Sequence, residues 1–191
     1  PPIPFGAAST GENMHFDYYS IAEWKKIMAF SATRETPFLI VLLDIIQRKF
    51  EQFRAGFPDA KIYYAVKANP GTEVLRLLHD LGSHFDIASI YELDRVLDLG
   101  VPPDRVSFGN TIKKARHVRE AYDKGVRLFT SDCEADVRNL AREAPGSRLF
   151  FRLLMDAVTS DSDWPLSRKF GCQPRMLSEL VSLAADLGLT P

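Results

Sequence analysis

The chain has 191 residues, of which 46% are apolar, and 24 Lys and Arg stand against 25 Asp and Glu for a formal charge of −1. That balance argues against nucleic acid or a membrane surface as a partner held by bulk charge, and no apolar run is long enough to span a bilayer. Two cysteines, Cys133 and Cys172, are too few for a disulfide framework or a zinc site, so a reducing, cytoplasmic setting is expected.

Residues 1–15 have the Pro, Gly, Ser and Asn content of a loop and read as an N-terminal arm, leaving 16–191 as the folded domain. Ser20–Phe30 has a helical apolar pattern (Ile21, Trp24, Ile27, Met28), with Ser20 as its N-cap. Six short apolar runs then read as buried strands: Phe38–Leu43, Ile62–Val66, His84–Ala88, Arg105–Phe108, Arg127–Thr130 and Arg148–Leu154. Their starts lie 21 to 24 residues apart. Helical stretches separate them, at Ile45–Gly56, Thr72–Gly82, Ile90–Gly100, Lys113–Gly125 and Glu134–Ala144. Gly82, Gly100 and Gly125 sit where helix C-caps belong, and Thr72 is a candidate N-cap.

A steady strand–helix alternation predicts βα units on a parallel sheet, either a closed (β/α)8 barrel or an open doubly wound sheet. No GxGxxG follows the first run, which disfavours a dinucleotide fold. The α/β, TIM-type barrel is the expected class. Only about six of eight units are visible before a last helix at Pro174–Leu187, and a seventh strand is due at Leu189-Thr190-Pro191. The expectation is therefore an incomplete barrel, a fragment or a chain that completes its sheet with another polypeptide. Its raw sheet edges are expected to drive self-association.

The strongest local signal is Ile62-Tyr63-Tyr64-Ala65-Val66-Lys67-Ala68-Asn69-Pro70, an apolar strand ended by a lysine. Barrel enzymes place catalysis at the C-terminal ends of strands, and a neutral amine there can condense with an aldehyde. A strand-end lysine that merely reaches solvent fits the same pattern. The Lys113, Lys114, Arg116 and Arg119 run reads as a solvated helix face, and Asn110 as a turn residue ending its strand.

Tyr64-Ala65-Val66-Lys67-Ala68-Asn69-Pro70 resembles the cofactor-lysine motif of the ornithine, lysine, diaminopimelate and arginine decarboxylases, which share the alanine-racemase-type barrel. The resemblance continues in order through Phe85-Asp86-Ile87-Ala88-Ser89, Ser107-Phe108-Gly109-Asn110-Thr111, Phe129-Thr130-Ser131-Asp132, Phe151-Arg152-Leu153 and Leu166-Ser167-Arg168-Lys169-Phe170-Gly171. Its wording is most similar to bacterial ornithine/lysine decarboxylases.

The resemblance implies pyridoxal 5'-phosphate as cofactor, held covalently by Lys67. Asp86 and Arg152 would line the cofactor site, Ala65 would lie behind the cofactor, and Lys169 would pair with an acid of a partner chain in a homodimer. It implies decarboxylation of a basic amino acid, ornithine or lysine, to a diamine such as putrescine, in polyamine biosynthesis, with that small-molecule amino acid as the substrate partner. A diaminopimelate or arginine decarboxylase, a racemase of the same barrel group, or a non-catalytic cofactor-binding module are the alternatives. The family's phosphate loop and C-terminal β domain have no counterpart in the 191 residues, so the chain alone is expected to be inactive.

Overall fold

A computed structural model describes residues 19–154 and 170–191. The chain divides into two compact units, residues 1–42 and 43–191. In the first, α1 spans Ile21–Ser31. Ser20 caps it as the sequence suggests: its hydroxyl accepts from the Glu23 amide, and the Glu23 carboxylate accepts from the Ser20 amide in return. The Phe30 and Phe38 rings meet edge to face at 5.8 Å.

The first expected strand, Phe38–Leu43, does not form. Residues 38–42 are irregular and Leu43 opens a helix. A strand exists only through its ladder, and these residues pair with no described neighbour; Leu39 is 85% exposed. A short apolar run cannot by itself distinguish a buried strand from an extended connector.

In the second unit, the helix α2 (Leu43–Gly56) precedes a five-stranded parallel sheet in sequential order: β1 (Tyr63–Ala65), β2 (His84–Ile87), β3 (Val106–Phe108), β4 (Leu128–Ser131) and β5 (Arg148–Phe151). The connecting helices are α3 (Thr72–Asp80), α4 (Ile90–Leu97), α5 (Ala115–Asp123) and α6 (Glu134–Glu143), with α7 (Pro174–Asp186) after β5. All-parallel pairing in chain order is the pattern of successive βα units curling into a barrel wall. Where a seventh strand is expected, the described residues form one isolated bridge beside β5. Thr190 bridges Arg148 in parallel, accepts from the Leu149 amide and donates to the Ser147 carbonyl.

Strand alternation divides the side chains between two environments. Phe85, Ile87, Val106, Phe108, Phe129 and Leu149 point away from the barrel axis and are buried against helices. The helices answer with residues three or four apart, such as Leu75 and Leu78, Leu93 and Val96, Val118 and Ala121, Val137 and Leu140, Leu180 and Ala184. The intervening strand residues face the other way and line the cavity described below. Burial against helices on one face and a cavity lining on the other therefore follow from a period of two.

Gly82, Gly100 and Gly125 follow their helices with positive φ, as the C-cap reading expects. Thr72 is instead the first helical residue of α3, with Gly71 as cap; the Asn69 side-chain oxygen accepts from the Gly71 amide. At Gly125, φ is +98° and an added Cβ would stand 3.0 Å from Pro103. Gly125→Ala is expected to cost about 1–2 kcal/mol through the left-handed backbone alone, read as a lower urea midpoint.

Among the described residues no helix is long and apolar enough to cross a membrane.

Candidate functional site

The C-terminal ends of the five strands converge on a cavity of 680 Å³, within the size range of small-molecule sites. Its wall is made by register. Ala65 pairs with Asp86, and Asp86 with Ser107, so three neighbouring strands present one row of side chains to the same face. Thr130 from β4, and Phe150 and Arg152 from β5 and just beyond it, complete the far side.

Three residues singled out from the sequence, Ala65, Asp86 and Arg152, thus line one cavity. Lys67 stands in a 3-10 turn, Val66–Ala68, that follows β1, and is not among the cavity-lining residues. Its side chain is exposed, not buried in an apolar strand, and makes no hydrogen bond or ion pair among the described residues. It is close enough for its charge to act on Asp86. Lys169 lies outside the described residues.

Asp86 is the polar centre of the wall. Burial holds its carboxyl above the usual carboxylate range, opposed by the Ser107 hydrogen bond and by the charges of Lys67 and Arg152. Ser107 Oγ donates to Asp86 Oδ1 at 2.7 Å. The stability consequence has a definite sign. An acid whose folded pKa is raised binds its proton more tightly when folded, so its contribution falls as pH rises from the unfolded toward the folded value. Asp86→Asn is therefore expected to raise the thermal midpoint at neutral pH, with the gain disappearing at acid pH where the carboxyl is protonated in both states.

Arg152 is placed from both sides. Its amide donates to Ser131 O, and its guanidinium lies 4.8 Å from the centre of the Phe170 ring. It forms no ion pair with Asp132, which instead accepts from the Gly171 amide at 3.0 Å. Cys172 then pairs back, its amide donating to Arg152 O while Leu154 N donates to Cys172 O. The segment around Phe170 is thereby tied to the end of β5.

Lys113 corrects the sequence reading. It lies in the loop before α5, not on that helix, and its side chain is 0% exposed. Its ammonium donates to Asn110 O (3.0 Å), Thr111 O (3.3 Å), Thr130 O (2.7 Å) and Asp136 Oδ2 (2.7 Å). Three carbonyls and a carboxylate converging on one point make a site for a cation, which is why this lysine turns inward while Lys114 and Arg116 stay exposed. Charge-run reasoning could not separate it from its neighbours. Asn110 ends β3 as expected, its side chain accepting from the Ile112 amide.

A parallel βα sheet with an acid, an arginine and aromatic side chains around a cavity at the strand ends, and an exposed lysine just beyond β1, defines a barrel-type α/β protein with a small-molecule-sized site. The chain belongs to the pyridoxal-dependent decarboxylases: the family model for their pyridoxal binding domain matches residues 43–190. That range starts at α2 and contains every strand of the sheet.

Similar proteins agree. A lysine/ornithine decarboxylase from Selenomonas ruminantium is 34% identical over 165 residues, 86% of this chain and 42% of that protein. Ornithine decarboxylase from Saccharomyces cerevisiae is 37% identical over 155 residues, 81% of this chain and 33% of that protein. Among solved structures, SrLDC in complex with PLP and cadaverine superimposes with a TM-score of 0.77 at 32% identity, covering 90% of this chain and 42% of that one. The arginine decarboxylase of Paramecium bursaria Chlorella virus gives 0.78 at 25% identity, over 88% of this chain and 45% of that one. The chain spans less than half the length of these relatives.

The residues present fit pyridoxal phosphate. Lys67 supplies a primary amine without a hydrogen bond or ion pair just beyond β1, the cavity has room for a pyridine ring, and Thr130 Oγ1 on its wall is buried without a hydrogen-bond partner among the described residues.

Proposed function

We propose that this chain is the cofactor-binding barrel portion of a decarboxylase acting on a basic amino acid, ornithine or lysine, with Lys67 as the residue that attaches pyridoxal phosphate covalently. The observation that carries the reading is the position of Lys67, without a hydrogen bond or ion pair in the turn that leads out of β1, two residues beyond the cavity-lining Ala65 and close enough for its charge to act on Asp86. When bound, the cofactor supplies an electron sink for the carbanion left by loss of carbon dioxide.

The chain's own residues do the rest. Lys67 would offer the nucleophilic amine that holds the cofactor and a basic nitrogen beside Asp86. Ala65, the smallest side chain of its row, leaves space for a flat ring beside β1. Asp86 offers an acceptor oxygen, and Arg152 a fixed positive charge on the opposite side, where an anionic group of the cofactor or substrate is favoured. On the same reading the whole protein works as a homodimer in the cytoplasm, with Lys169 at the subunit interface and a diamine as product.

The test is to incubate the chain with pyridoxal phosphate, reduce with borohydride and map the modified peptide by mass. The expected result is one label per chain, on Lys67. Labelling spread over exposed lysines would overturn it.

A second reading has its own support. Antizyme inhibitor 2 from Xenopus laevis is 33% identical over 156 residues, so matched relatives are not all named decarboxylases. A binding module without turnover would still take the cofactor on Lys67. Diamine release from ornithine or lysine by the complete protein separates the two.

A further inference from the structure

The Asp86 carboxylate occupies a place that only its neighbours make available. An added Cβ on Gly109 would fall inside van der Waals contact of both carboxylate oxygens and of Cγ. The carboxylate therefore lies against the backbone of Gly109, in the volume that any other residue there would fill. On the adjacent register position, the Ser107 hydroxyl donates to Oδ1 at 2.7 Å. Ser107 is buried, and Oδ2 makes no hydrogen bond to a described residue. The charged or titratable groups that face this carboxyl are Lys67 after β1, Arg152 after β5 and Tyr63 on β1.

We propose that Ser107 and Gly109 are positioning residues for Asp86: the serine hydroxyl holds Oδ1, the missing side chain of the glycine admits the carboxylate, and Oδ2 is left as the acceptor offered to a donor or cation in the cavity. Neither residue need touch the ligand. Each acts by fixing which way the acid points. The geometric claim stands without a ligand; its consequence for binding rests on the reading of the cavity as a cofactor site.

Gly109→Ala has one inexpensive response, rotation of a short side chain away from the new methyl, which breaks the Ser107 hydrogen bond. The two positions should therefore be coupled. The first measurement needs no cofactor: the Asp86 carboxyl is titrated by carbon NMR in the full chain, its signal assigned by loss in Asp86→Asn. Ser107→Ala is expected to raise the midpoint by about one pH unit, because a hydrogen bond to the charged form is lost. Ser107→Thr, which keeps the hydroxyl, should restore it. In the Gly109→Ala background, Ser107→Ala should have no further effect.

An unchanged midpoint in Ser107→Ala, or an equal shift in both backgrounds, would overturn the proposal. So would a Gly109→Ala chain unfolded by circular dichroism, since the rotated carboxylate should cost position and not the fold. The second measurement is borohydride-trapped pyridoxal phosphate at subsaturating concentration. Each single variant should weaken capture about fivefold, the equivalent of one hydrogen bond, and neither should do so when Asp86 is already Asn. If the unaltered chain captures no cofactor on Lys67, the functional reading fails while the titration still decides the positioning.

Discussion

Lys67→Ala is expected to abolish covalent capture of pyridoxal phosphate completely, with no borohydride-stable label at any site. The reason is chemical. Condensation with an aldehyde requires a primary amine in its neutral form, so Lys67→Arg, which keeps the positive charge, should be equally dead. The loss should not be a folding effect. Lys67 is exposed and makes no hydrogen bond or ion pair among the described residues, and a surface substitution of that kind changes stability by no more than about 0.5 kcal/mol. Matching thermal midpoints for the three chains would establish this. The buried amine of Lys113 is engaged by four oxygens and should stay unlabelled. Equal labelling of the Lys67→Ala and unaltered chains would remove the basis for the cofactor assignment.

Much of this architecture was readable from residue order. Five of the six expected strands form within a few residues of their expected bounds, because buried parallel strands are short β-rich apolar runs and their helices close on glycine. The failure at Phe38–Leu43 has a physical cause. Pairing is a property of neighbours and not of the run itself, and no described partner reaches these residues.

The site divides the same way. Strand alternation brought Ala65 and Asp86 to one wall, and the strand end brought Arg152 beside them. Register was not legible. Nothing in the linear order of Ser107 and Gly109 says that both abut Asp86, since that contact depends on β2 and β3 pairing Asp86 with Ser107. Lys113 was misread for a related reason: its partners, Thr130 and Asp136, come from β4 and α6, well downstream in the chain.

Lys113→Met should be the most destabilising single change in the domain. The lysine joins three pieces of the wall, the loop after β3 through Asn110 and Thr111, the end of β4 through Thr130, and α6 through Asp136. Burial pushes the Lys113 ammonium below its ordinary range and the Asp136 carboxyl above its own, and each partner opposes the other's shift. Neither charge is comfortable there alone. Removing the ammonium strands a buried carboxylate, at a cost of about 3–5 kcal/mol for breaking such a pair from one side, a large share of the roughly 5–15 kcal/mol that holds a domain together. The pH dependence gives the mechanism a signature. Without Lys113, Asp136 retains its proton to higher pH when folded than when unfolded. The deficit should then shrink as pH falls into the carboxylate range and be largest above it. Lys113→Met with Asp136→Leu removes both charges and should recover most of the loss, whereas simple loss of packing would leave the double variant no better than the single one. Urea midpoints of the three chains at two pH values decide between these outcomes. Because Thr130 lines the cavity and Asn110 follows Gly109, the single variant should also loosen the wall around Asp86, coupling the stability of this latch to the shape of the site.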